Sequence, residues 1–312
     1  MNYTIAFPPG LSRFQPLPTI LCYDDFDRGT NGWLDLKPNY RFEGFEPRKG
    51  PLDLTRWGPT MLSSATFAFP GTHGSMDGTY SLKLATRPVA NPYEDIPAPG
   101  SLGHAIKRMA MHQPPGLLRF EMWYTYTPEQ DRIGLGEKDI RAFGFLFDLQ
   151  DGQYRYMPGV RYLNSVDGEL VQRWQYCNAD GVTDAEWEYG MEGWCKRGID
   201  PQWFGRRYAD GHTDGFKDVP DGAQHLCYNE SDDKINWMYL RLTVDLEKRA
   251  YVEMQSGNRV FDLRGLGPTL VPGYANIEGL LNPMLWVETD TDRRVFLYVD
   301  SIVISMGPGE KA

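Results

Sequence analysis

Four carboxylates that fall in strand-like segments, Glu121, Asp148, Glu253 and Glu288, are the side chains of this 312-residue chain whose type and setting best suit catalysis. Paired carboxyls with unequal proton affinities can act as proton donor and as base or nucleophile across a glycosidic bond. The surrounding sequence supplies matching groups. Trp123, Trp174, Trp237 and Trp286 offer flat apolar platforms, and Arg119, Arg161 and Arg241 carry planar donors for hydroxyls or an acidic sugar's carboxylate. Taken singly, each carboxylate is equally suited to pairing with one of those arginines. A second acidic ladder, Asp184, Glu186 and Glu188 with Glu192 following, would line one face of a strand at about 7 Å steps. No strand period runs through it, and a charge run in a loop is ordinarily solvated.

Alternation places these groups on elements, because residues two apart share a face of a sheet. In 117–127, Leu118, Phe120, Met122, Tyr124 and Tyr126 form a core-like face, opposite Arg119, Glu121, Trp123 and Thr125. In 237–245, Met238, Leu240, Leu242 and Val244 oppose Trp237, Tyr239, Arg241 and Thr243. In 249–255, Tyr251, Glu253 and Gln255 are expected together, opposite Ala250, Val252 and Met254. Further strand-like runs occupy 79–86, 104–111, 142–149, 169–177, 259–263, 285–288 and 295–305, split by Gly, Pro, Asn and Asp. Ten short strands separated by turn signals predict an all-β, two-sheet antiparallel sandwich.

Composition agrees. The chain has 33 Gly, 23 Pro and 13% aromatic residues with an ordinary 41% hydrophobic fraction, enough apolar surface to fold and many turns. Its 32 basic against 42 acidic residues leave a net charge of −10, which argues against nucleic acid as a partner. No 18-residue apolar window predicts a membrane-spanning helix, and the first residues lack a signal peptide's basic and apolar regions. The expected setting is cytoplasmic. The four cysteines, Cys22, Cys177, Cys195 and Cys227, form no CxxC pair and read as free thiols. No GxSxG, HExxH, phosphate loop or EF-hand motif occurs, and no organic cofactor is expected.

Residues 1–20 are proline-rich and are expected to form an extended arm, with one domain over 21–312. Within it, 178–233 is dense in Trp, Asp, Glu and Gly without a clean strand, and reads as a long irregular insertion over one sheet face. Its indoles also suit a subunit interface, so a homo-oligomer is a possible assembly.

Several segments resemble the concanavalin A-like lectin/glucanase superfamily: CYDDFDRGTNGW near the start, GTYSLKL, the run WMYLRLTVDLEKRAYVEMQSGNRVFDL and the closing LYVDSIVIS. The resemblance implies a jelly roll whose concave face handles an oligo- or polysaccharide. The chain departs from that superfamily's strand-borne E-x-D-x-x-E catalytic pattern. The simplest function it implies is a glycoside hydrolase using two of the four carboxylates; a non-catalytic carbohydrate-binding module, a polysaccharide lyase and a structural protein remain as alternatives. The resemblance also implies a structural Ca²⁺ tying the chain ends through Asp25 and Asp300, with Asp24 and Asp77 nearby.

Overall fold

Strands form where the apolar residues alternate, and turn residues end them. The computed structural model describes residues 9–34, 57–58, 60–63, 74–86, 101–111, 115–129, 136–178, 215–229, 236–273, 277–289, 291 and 293–309. After a 3-10 turn at Pro9–Arg13 the strands are β1 (Thr19–Asp24), β2 (Trp33–Leu34), β3 (Trp57–Gly58), β4 (Thr60–Leu62), β5 (Leu82–Ala85), β6 (Ser101–Lys107) and β7 (Met109–Ala110). Then come β8 (Leu117–Pro128), β9 (Ala142–Gln150), β10 (Tyr154–Tyr156), β11 (Gly159–Val166), β12 (Glu169–Cys177) and β13 (Phe216–Ala223). The last are β14 (Met238–Asp245), β15 (Ala250–Ser256), β16 (Arg259–Asp262), β17 (Val271–Pro272), β18 (Leu280–Thr289) and β19 (Val295–Gly307).

Two sheets result. The smaller runs β16-β15-β14-β8-β19-β5-β4, with β1 sharing the β5 edge of the long strand β19. The larger runs β13-β12-β11-β9-β18-β6-β2, with β10, β17, β3 and β7 attached at its margins. Every pairing is antiparallel except β3 with β6. One buried cluster joins the inner faces: Leu118, Phe120, Met122, Tyr124 and Tyr126 from β8 meet Phe143, Phe145, Phe147 and Leu149 from β9. Phe120 and Phe145 stack across the interface at 3.4 Å between ring centroids. The expected two-sheet jelly-roll sandwich is therefore the architecture.

Within the expected insertion 178–233, the described residues 215–229 contain β13, hydrogen-bonded to β12. Its sequence, FKDVPDGA, reads as a turn because of Pro220 and Gly222. An edge strand tolerates both, since a proline there needs no ladder N–H. The register skips from Asp218 opposite Gln175 to Ala223 opposite Arg173, so the Pro-Asp-Gly segment bulges out of the ladder.

Candidate functional site: the outer faces of the two sheets

The outer face of the smaller sheet carries Arg119, Glu121 and Trp123 from β8 and Tyr239, Arg241 and Thr243 from β14. Arg241 sits directly opposite Glu121, and Tyr239 opposite Trp123. Glu253 joins them from β15, opposite Thr243. Tyr251 does not share its side, as the alternation predicted. The register jumps from Thr243–Glu253 to Val244–Tyr251, so a bulge turns Tyr251 into the core beside Val244.

This face is covered by the N-terminal arm. The Gln15 backbone N–H donates to Glu121 Oε1 at 2.7 Å, its carbonyl accepts from Arg119 at 2.7 Å, and its side-chain oxygen accepts from Arg241 at 2.6 Å. Phe14 packs with Tyr239 and Val303, against Leu11, Tyr23 and Trp123, and the Trp123 indole donates to the Arg13 carbonyl. The Tyr239 hydroxyl donates to Glu121; burial and that carboxylate hold its pKa above the ordinary phenol value, so the proton stays on the phenol. Glu253 binds both Arg241 at 3.0 Å and Arg119 at 3.4 Å. Burial and then Arg241 lower Arg119, with Glu121 and Glu253 opposing. Glu121, Glu253, Arg119, Arg241 and Trp123 thus form a closed ion-pair network under the arm.

The outer face of the larger sheet is organised differently. One register line crosses six strands: Asp218 of β13, Gln175 of β12, Arg161 of β11, Gly144 of β9, Trp286 of β18 and His104 of β6. Gly144 is required here, because a Cβ at this position would lie 2.3 Å from the Trp286 ring. The glycine lets the indole lie against the sheet. The Trp286 N–H donates to Glu288 at 2.7 Å, and Glu288 binds Arg141 at 3.1 Å. Arg161 chelates the Gln175 side-chain carbonyl at 3.0 and 2.6 Å and stacks 4.1 Å over the Phe216 ring. Gln175 in turn donates to Asp218 at 2.8 Å, and Arg173 pairs with the same carboxylate. Exposure falls along the line. The Asp218 side chain is 49% exposed, Gln175 is half-buried, and Arg161, Trp286 and His104 are buried. Farther along β9 and β18, Asp148 binds Arg155 bidentately at 2.8 and 3.1 Å and accepts from Asn282 at 3.2 Å. The buried Asn282 Oδ1 has no hydrogen-bond partner.

The expected site residues therefore divide. Asp148, Glu288, Arg161 and Trp286 share the outer face of the larger sheet, whereas Glu121, Glu253, Arg119, Arg241 and Trp123 lie on the opposite side of the sandwich. Trp237 packs elsewhere on the smaller sheet, against Ala85, Phe296 and Tyr298. Trp174 is a correction: it is a core residue opposite Tyr162, and its N–H donates to Gln224 at 2.8 Å. Asp184, Glu186 and Glu188 lie outside the described residues. Gln175, Asp218, Phe216 and Gly144 escaped the sequence reading. Gly144 inside an otherwise aromatic strand was the available signal; the others depend on β13, which the sequence hides.

At the edge of the smaller sheet, Asp300 Oδ2 accepts the backbone N–H groups of Met76 at 2.7 Å and Asp77 at 2.9 Å. Burial raises it to about 7, those two N–H groups opposing. Asp25 instead accepts the N–H of Asp27. Among the described residues no group of three or more His, Cys, Asp or Glu stands in metal-ligating reach. Calcium takes six to eight oxygens, and Asp25 with an Asp300 already bonded to two amides does not form such a cage. Asp24 has a different task. Buried, it accepts from Trp33 at 2.8 Å, Lys107 at 2.7 Å and Cys22 at 3.1 Å, and so ties β1 of one sheet to β2 and β6 of the other. Burial, then Asp24, pushes the Cys22 thiol up to about 12.

A family model described as "Domain of unknown function (DUF6772)" matches residues 2–308. The chain belongs to that family. No curated protein matches it. Among solved structures it is similar to lectin UEA-II complexed with galactose, at 6% identity over 80% of this chain and 91% of that one, TM-score 0.41. The potassium-bound carbohydrate recognition domain of Emp46p gives 12% identity, 68% and 81% coverage and a TM-score of 0.33. A mutant of alginate lyase Aly36B in complex with an alginate trisaccharide gives 10%, 73%, 83% and 0.36. The resemblance to concanavalin A-like folds stands at this level, and the jelly-roll assignment itself rests on strand order and the shared core.

Proposed function

We propose that the protein binds carbohydrate on the outer face of its larger sheet, at the open end of the row formed by Asp218, Gln175 and Arg161. The observation that supports this reading is the row itself. One register line presents carboxylate, carboxamide, guanidinium and indole side by side, the mixture that hydroxyl-rich rings with apolar faces require. The opposite outer face has comparable chemistry, but its own arm occupies it.

Hydrolysis by the four carboxylates is not the reading the geometry favours. Asp148 is paired with Asn282, and Glu288 lies six residues farther along β18, roughly 20 Å at strand spacing. Two carboxyls that share a glycosidic bond stand within about 10 Å. Glu121 and Glu253 lie on the other side of the sandwich and are bound to arginines.

The test is calorimetric titration with a panel of neutral and acidic oligosaccharides, with product analysis of each mixture. One glycan class is expected to bind, to weaken at least about tenfold with Gln175→Ala, and to be unaffected by Glu253→Gln. A Glu253→Gln loss with Gln175→Ala intact would move the site to the smaller sheet. Cleaved product would overturn a purely binding role.

A further inference from the structure

The outer face of the smaller sheet holds a second feature, remote from the glycan row. Lys83 of β5 stands opposite Tyr298 of β19. Its ammonium lies 4.6 Å from the centroid of the Phe296 ring and 5.6 Å from that of Tyr298. Ala85 and Trp237 complete the apolar surround, and Lys83 is only 7% exposed. A second cation sits on the same ring: the Arg294 guanidinium is 5.2 Å from the Phe296 centroid. The nearby carboxylate, Glu129, is bonded to Arg294 at 2.8 and 2.5 Å, so its charge is directed to the arginine.

An amine that is desolvated and set beside another cation is held toward its neutral, nucleophilic form. The ring faces oppose this by stabilising the ammonium, an effect of about 1–2 kcal/mol. Burial, then Arg294, nevertheless lowers Lys83 to about 8, against the pull of Glu129. Those two, with the Tyr298 hydroxyl, are the titratable and charged groups facing it from β19 and from the end of β8; Met61 faces it from β4.

We propose that Lys83 is a carbonyl-reactive amine, an attachment point for a small aldehyde. The Nζ lone pair attacks the carbonyl carbon, the C–N bond forms as the carbonyl π pair moves to oxygen, and that oxygen takes a proton. The carbinolamine then loses water to give an imine. The enclosure sets the class of electrophile: a side chain so buried admits a compact aldehyde and excludes a polymer.

The test is incubation of the full chain with glyceraldehyde and sodium cyanoborohydride, which reduces the imine to a stable secondary amine, followed by digestion and mass spectrometry. At pH 7 an amine titrating near 8 is neutral on the order of a hundredfold more often than an unperturbed lysine. Lys83 is therefore expected to label about tenfold faster than the exposed Lys138 and Lys248, after allowance for access. The rate should rise with a midpoint near pH 8, and Arg294→Gln should move that midpoint upward and slow labelling at pH 7. Labelling of Lys83 no faster than Lys138 across the pH range overturns the proposal. If Arg294→Gln fails to fold by circular dichroism, the wild-type midpoint still decides, and one at the ordinary lysine value overturns it.

Discussion

The two outer faces of this sandwich carry nearly the same residue types and end in opposite states. On the smaller sheet, Arg119, Glu121, Arg241 and Glu253 satisfy one another, and Gln15 supplies a donor and two acceptors to three of them. On the larger sheet, Arg161, Gln175 and Asp218 form a chain that begins buried and ends in solvent. Charged and aromatic residues on a non-core face are thus no guide to a binding surface until it is known what else packs there. Ten residues of arm convert the first face into structure.

The largest effect expected from this contrast is on Glu121. It is fully buried, and Glu121→Ala leaves the Gln15 amide, the Tyr239 hydroxyl and a buried arginine without their acceptor. Removing one partner of a buried pair costs about 3–5 kcal/mol, to be read from urea unfolding. A loss under 1 kcal/mol would mean that the arm does not hold this face closed.

Next comes the pH dependence of the same sheet's edge. Asp300 binds its proton more tightly when folded, about 7 against 3.8. Its ionisation therefore opposes folding: stability is greatest below pH 4 and declines as pH rises toward 7, by about 2–4 kcal/mol in all. Asp300→Asn keeps an acceptor for the Met76 and Asp77 amides, and should flatten that slope in thermal melts. An unchanged slope assigns it to other groups.

On the larger sheet, Gly144→Ala forces a methyl into the Trp286 ring. The overpacking cost is about 1–3 kcal/mol, with a changed near-ultraviolet circular dichroism spectrum from the displaced indole. An unchanged spectrum would show that Trp286 does not depend on the glycine. The smallest stability effect belongs to Gln175→Ala, expected within about 1 kcal/mol for a half-exposed group, while glycan binding falls. That separation, stability lost on one face and binding lost on the other, is what divides a sealed surface from an open one.

Much of the scaffold was legible in advance. The alternation over 117–127 and 142–149 marks β8 and β9 almost to their ends, and its apolar positions are the residues that meet in the core. The strand 169–177 was placed at its exact bounds, but its best-looking platform, Trp174, lies on the core side. The expectation mistook it because alternation gives two faces without saying which is inside, and Trp174 has Gln172 and Tyr176 as its same-face neighbours. β11 and β13 were not foreseen: the first mixes Arg161 and Asn164 into a buried strand, and the second contains Pro220 and Gly222.

The sequence by itself determined the β periodicity, the apolar faces and the acidic, aromatic character of what remained, because those depend on neighbours one and two residues away. Only the tertiary structure decided that Glu121 and Glu253 stand opposite Asp148 and Glu288, that a bulge turns Tyr251 inward, and that Gln15 closes one face. Each of these rests on contacts between segments a hundred or more residues apart or on a one-residue shift of register, and neither leaves a trace in local pattern.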